Sequence, residues 1–241
     1  MKVHVAIPII IPAYNPPPLF ERYVSQLHLS IAHPIIIVND GSTILYNRIF
    51  KALSGTPSIS IIHHKKNRGK GDALKTGIAY ARASWPKSPG YITADADGQH
   101  HIGDIRMCIR EIAKTPQLLI IGARARPQDM PQQNHFGRRT ASTFLSMLYG
   151  VHIKDTQSGL RYIPKKLAIY IQSSPFHRYD FEMDMIFRAI ALGIPIREFP
   201  IRTIYLDGNR HSKFRAFRDT VRVTSVYFYH VQHVFRRFVT R

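Results

Sequence analysis

Short apolar runs rich in β-branched residues alternate with amphipathic stretches along this chain, and that alternation limits the fold more than any other feature. Val3 to Ile11 is continuous enough to be a strand buried on both faces, and Ala13-Tyr14-Asn15-Pro16 turns the chain out of it. Leu19, Phe20, Tyr23, Val24, Leu27 and Ile31 then fall at helical spacing, and Pro34 precedes a second buried run, Ile35 to Val38. A helical segment through about Leu53 leads to a third strand, Ile59 to Ile62. The helix Ala73 to Ala83 leads to a fourth near Tyr91 to Thr93, and a helix from Ile105 to Ala113 to a fifth, Leu118 to Gly122. Repeated strand–helix units predict an α/β fold: an open, mostly parallel sheet flanked by helices. Ligands of such sheets bind beyond the carboxyl ends of the strands.

The loops at that edge carry the chemistry. After the fourth strand, Asp95 and Asp97 sit at i and i+2 of an extended segment, so both carboxylates point the same way, with Gln99 next on that side. Two such carboxylates can hold one hard cation. Pro12 to Asn15 and Asn39-Asp40-Gly41-Ser42 leave the first two strands at the same edge, where a nucleotide would bind. The basic loop His63 to Asp72 opens a helix, and its Lys70 and backbone N–H groups suit phosphates. Gly71 follows Lys70, so this is not a Walker A loop; no Gly-x-Gly-x-x-Gly follows the first strand, which disfavours a nicotinamide enzyme.

The second half reads as a polar loop, Gln128 to His135; a helix, Phe136 to Tyr149, that begins with Arg138 and Arg139; a turn, Asp155 to Tyr162, entering a short strand; a helix from Phe181 to Ala191 stopped at Gly193; and a strand, Pro195 to Pro200. Thirty-four Lys and Arg against 15 Asp and Glu give a net charge of +19, which favours polyanionic partners. The single cysteine, Cys108, excludes a disulfide framework and a cysteine-based zinc site and fits a reducing compartment. No apolar run reaches the ~18 residues needed to span a bilayer.

Eight ordered segments resemble the inverting glycosyltransferases of family 2, and within them the polyprenol-phosphate mannose and glucose synthases. They are Ile11 to Asn15, Asn39 to Ser42, Asn67 to Gly71, Asp95 to His100, Gly122 to Arg124, Asp155 to Gly159, Phe181 to Asp184 and Asn209 to Lys213. The resemblance implies a GT-A fold with a Rossmann-like nucleotide-sugar-binding sheet over residues 1–208, a UDP- or GDP-sugar donor, and Mg2+ or Mn2+. Pro12, Ala13, Tyr14, Asp40, Lys70 and Asp95 would surround the donor; Asp95, Asp97 and Gln99 would surround the metal. Arg124 and Arg139 resemble arginines that meet the acceptor phosphate, and a polyprenyl phosphate is the expected acceptor. Pro16 stands where members usually carry an acidic residue, so base preference does not transfer. The C-terminal transmembrane helices of many relatives have no counterpart.

An inverting transfer builds charge on the departing diphosphate, which a cation at Asp97 and the charge of Lys70 would stabilise. A hydroxyl acceptor needs a general base, for which Asp155, Glu182 and Asp184 are the candidates; a phosphate acceptor needs none. In residues 209–241, Phe214, Phe217, Val221, Thr224, Phe228, Val231, Phe235 and Phe238 form one helical stripe among arginines. That stripe suits either an anionic membrane or the catalytic domain itself. The expectation is a cytoplasmic enzyme, peripheral at the cytoplasmic face of the membrane. Transfer to a glycan or small-molecule hydroxyl is the alternative within enzymes. A nucleic-acid-binding protein would explain the charge but not the converging carboxylates, and no nucleic acid is expected.

Overall fold

In the computed structural model, residues 5–124, 149–202, 225–230 and 232 are described. The apolar runs become seven strands: β1 (Ile9–Ala13), β2 (Ile35–Asn39), β3 (Ile59–His63), β4 (Gly90–Thr93), β5 (Leu119–Arg124), β6 (Arg161–Pro164) and β7 (Ile196–Ile201). They form one sheet in the order β3-β2-β1-β4-β6-β5-β7. Parallel ladders join β1 to β2 and β4, β2 to β3, and β5 to β7; β6 pairs antiparallel with both β4 and β5. The mostly parallel α/β sheet expected from the sequence is therefore present, with one reversed strand inserted near its middle.

The helices are α1 (Phe20–Ser30), α2 (Asn47–Leu53), α3 (Lys70–Ser84), α4 (Ile102–Lys114), α5 (Lys165–Tyr170) and α6 (Asp180–Ala191). Strand side chains alternate between two cores because successive residues point to opposite faces. Ile10, Ile36, Val38, Tyr91 and Ile121 pack with Leu74, Ile78, Phe181 and Ile186 of α3 and α6. Ile9, Ile11, Ile35, Ile37, Ile92 and Ile120 pack with Val24, Leu27, Ile105 and Ile112 of α1 and α4. The result is three layers, helix on sheet on helix.

Several element boundaries differ from the sequence expectation. The first strand runs from Ile9 through Pro12 to Ala13, because its register with β2 begins at Ile9–Ile35. The third helix begins at Lys70 instead of Ala73, because Gly69 takes φ 103°, a conformation that favours glycine and ends the loop three residues earlier. Helix α5 was not anticipated. The segment holding Arg138, Arg139 and most of the predicted helix Phe136 to Tyr149 lies outside the described residues, as does most of 209–241. Within 225–230, which is helical, Val226 is fully buried and Tyr227 nearly so, whereas Phe228 of the proposed stripe is 66% exposed. The Phe187 ring meets Tyr227 edge-on and stacks on His230 at 4.6 Å, so this turn packs against α6.

Candidate active site

The register sets which loops share an edge. Ala13 lies opposite Asn39, Ile10 opposite Thr93, and Thr93 opposite Arg161, so the loops after β1, β2 and β4 and the turn before β6 emerge together. The first two are tied to each other: the Asn15 N–H donates to Ser42 Oγ at 2.9 Å and the Thr43 N–H to Asn15 Oδ1 at 3.0 Å. Pro12 and Ala13 line the base of this corner, and Tyr14 projects to solvent. Asp40 is buried and faces the basic loop. Its carboxylate accepts from the backbone N–H of Arg68 (2.9 Å) and Gly69 (2.8 Å), from Asn67 Nδ2 (3.0 Å) and from His64 Nδ1 (2.7 Å). One buried acid thus folds the 64–69 loop around itself and fixes where α3 starts.

At that start, Lys70 reaches into the cleft. Its Nζ lies 2.6 Å from Asp95 Oδ1 and 2.9 Å from Glu182 Oε1. Burial alone would lower the Lys70 pKa, but Asp95 and Glu182 push it above the usual lysine range. Burial likewise opposes ionisation of Asp95, yet Lys70 and His100, whose Nε2 is 3.2 Å from Asp95 Oδ2, hold its carboxyl well below the usual range. Asp97 is different: burial and the neighbouring Asp95 charge push its pKa up. Its Oδ1 accepts the Gln99 N–H at 2.9 Å. Gly159 lies against this pair, and a Cβ there would overlap the Asp95 carboxylate.

Across the cleft, Arg124 grips the buried Asp155 with two bonds, Nε to Oδ2 at 2.8 Å and Nη2 to Oδ1 at 3.2 Å. The structure therefore gathers Asp95, Asp97, Lys70 and Glu182 at one place and pairs Asp155 with Arg124. Arg139 lies outside the described residues. Asp184 does not join the cluster. Two residues apart on a helix, Glu182 and Asp184 point some 200° away from one another. Asp184 instead meets Arg188 Nε and His230 Nε2, each at 2.6 Å, and so binds α6 to the 225–230 turn.

That separation carries a prediction. Burial would raise the Asp184 pKa, but His230, Ser174 and Arg188 hold it below the usual carboxylate value. A depressed pKa stabilises the fold above the unfolded value of about 3.9, and the contribution fades as pH falls through the folded value. Asp184→Asn should therefore cost about 1–3 kcal/mol at pH 7, with the gap narrowing as pH falls below the unfolded value of about 3.9. Thermal melts at pH 7 and pH 3 measure it.

Two contributors had no signal in the sequence. Arg161 is fully buried, and its guanidinium donates to the carbonyls of Ser158 (2.8 Å), Glu182 (2.6 Å) and Thr156 (2.7 Å). Tyr23 read only as part of the α1 stripe; burial, then the charges of Asp97, Asp95 and Asp104, push its hydroxyl pKa up. Among the described residues, no three His, Cys, Asp or Glu side chains form a ready metal cluster. Two carboxylates do converge, and the crowded Asp97 is an acid whose charge a cation would relieve. No helix among the described residues is long and apolar enough to cross a membrane.

Comparison with known proteins adds the following. The family described as Glycosyl transferase family 2 matches residues 9–182. The chain is 30% identical over 217 residues to the UDP-N-acetylglucosamine–dolichyl-phosphate N-acetylglucosaminyltransferase of Methanococcus voltae, covering 83% of this chain and 86% of that protein. It is 26% identical over 248 residues to a dolichyl-phosphate beta-glucosyltransferase of Dictyostelium discoideum, covering 89% of this chain and 72% of the other. A mycobacterial protein of known crystal structure shares the fold, with a TM-score of 0.70 at 15% identity over 95% of this chain and 76% of its own.

Proposed function

The chain belongs to glycosyl transferase family 2, and from that premise we propose that it transfers a sugar, with inversion, from a nucleoside-diphosphate sugar to a polyprenyl phosphate. One observation carries the choice of acceptor: the three acids considered as general bases are each held by a cationic partner. Asp155 is clamped by Arg124, Glu182 by Lys70, and Asp184 by Arg188, with His230 hydrogen-bonded to its other oxygen. A hydroxyl acceptor needs a base to take its proton, whereas a phosphate is ionised near neutral pH and attacks without one. The names of the dolichyl-phosphate transferases to which the chain is similar point the same way.

In this reading, the Pro12–Tyr14 and Asn39–Ser42 corner receives the nucleoside, and the diphosphate lies toward Lys70. Asp95 and Asp97, with Gln99 beside them, would hold Mg2+ or Mn2+, which when bound supplies positive charge to the leaving diphosphate. Lys70 offers its ammonium to the same oxygens. Arg124, oriented by Asp155 and with its side chain 29% exposed, faces the acceptor phosphate, and Arg139 is proposed to assist it. The surplus of basic residues favours peripheral attachment at the cytoplasmic face of an anionic membrane.

The test is release of nucleoside diphosphate from a panel of UDP- and GDP-sugars, with Mg2+ or Mn2+, in the presence and absence of a polyprenyl phosphate. Turnover that depends on the lipid phosphate is the expected result. Equal turnover with a free glycan or a simple alcohol in its place would refute the acceptor.

A further inference from the structure

Lys70 joins two acids that reach the cleft from different layers of the fold, Asp95 from the end of β4 and Glu182 from the first turn of α6. At 2.6 and 2.9 Å both contacts are charge-assisted hydrogen bonds. The ammonium lies 5.6 Å from the centroid of the Tyr179 ring, which shields it on a further side. Its backbone is equally constrained: the preceding Gly69 donates its N–H to Asp40, and a Cβ on Gly69 would overlap the backbone carbonyl of His177. The second oxygen of Asp95 faces His100. Both oxygens of the acid best placed to share a cation with Asp97 are therefore engaged by this chain's own side chains.

A divalent ion entering alone would have to displace an ammonium from Asp95 and would meet its charge at close range. A nucleoside diphosphate changes that balance, because its oxygens are an alternative partner for the lysine. Resting on the metal-assisted reading above, we propose that Lys70 is the resident occupant of the cation place: it neutralises Asp95 and Glu182 in the donor-free cleft, bars a divalent ion from binding first, and, while keeping its contact with Glu182, releases Asp95 when the ammonium turns to the diphosphate. Metal and donor then bind as a coupled pair, each raising the affinity of the other by the same factor. The arrangement also protects the acids: without Lys70, Asp95, Asp97 and Glu182 would face one another with no counter-charge from α3.

Binding, not turnover, tests this. Mn2+ is titrated into the full chain by electron paramagnetic resonance, alone and with saturating UDP or GDP, for wild type, Lys70→Met, Lys70→Gln and Lys70→Arg, each checked for folding by its thermal melt. Wild type should bind Mn2+ weakly alone and more tightly with one of the nucleotides. Lys70→Met and Lys70→Gln should bind Mn2+ alone about tenfold or more tighter than wild type, within the range usual for coupled sites, and the nucleotide effect should shrink accordingly. Lys70→Arg, which keeps the charge, should behave as wild type. Equal Mn2+ affinity in the neutral variants and wild type, with nucleotide still promoting Mn2+ binding in all, overturns the role of Lys70 and leaves the metal reading standing. Absence of Mn2+ binding in every variant, even with nucleotide, overturns both.

Discussion

Asp97→Asn should lower kcat by about 10²–10³-fold while raising the melting temperature at neutral pH. The two effects share a cause. Asp97 is half-buried beside an ionised Asp95, and desolvation followed by that charge pushes its pKa up. A raised carboxyl pKa means that the folded state prefers the protonated form. The resulting penalty is absent below the unfolded value of about 3.9 and is fully developed once pH has risen through the folded value. Replacing the acid by its neutral isostere removes that penalty at pH 7 and changes nothing at pH 3. A carboxylate kept at a cost to the fold is what a cation-binding position requires, since the cation supplies the missing counter-charge. Calorimetry at pH 3 and pH 7 with steady-state kinetics tests the pair of effects. Full turnover in Asp97→Asn would remove Asp97 from the site, and an unchanged melting temperature at pH 7 would show that its charge is already balanced.

Those features of the fold that depend on local pattern were legible in the sequence. Ile35 to Val38 could be read as a strand buried on both faces because such strands lose the polar alternation, and the loops at Asn39 and Asp95 followed from where the strands stop. The helix start at Lys70 needed the conformation of Gly69, which composition does not reveal. Partnerships across the chain were beyond reach: Lys70 meets Glu182 112 positions later, and Asp40 turns out to organise the 64–69 loop through bonds to residues 24–29 positions away. The reversed direction of β6 was equally hidden, because a four-residue strand carries no sign of its direction. The split between Glu182 and Asp184 was accessible, however, since helical spacing alone sends i and i+2 to different faces.

The reversed strand explains the second large effect, the loss of Arg161. Because β6 runs against β4 and β5, its first residue, not its last, sits at the ligand edge, opposite Thr93. Thr93 Oγ1 donates to the Gly159 carbonyl at 2.8 Å, and Gly159 in turn lies against Asp95. From the same position Arg161 binds the carbonyls of Thr156 and Ser158, which carry the Asp155 loop, and that of Glu182, the acid held by Lys70. Burial pulls the Arg161 pKa down, while the charges of Glu182, Asp155 and Asp95 oppose the shift. Arg161→Met would leave three buried carbonyls short of a donor and remove a positive charge shared by three acids. It should cost about 3–5 kcal/mol, measured by urea unfolding at pH 7. Arg161→Lys retains the charge but not the planar fork that spans three acceptors, so it should recover only part of the stability. Since the guanidinium fixes both the Asp155 loop and the Glu182 turn, Arg161→Lys should also lose turnover at temperatures well below its melting point. Wild-type stability in Arg161→Met would mean that those carbonyls are satisfied without it, and the acids would then owe their convergence to Lys70 and Arg124 alone.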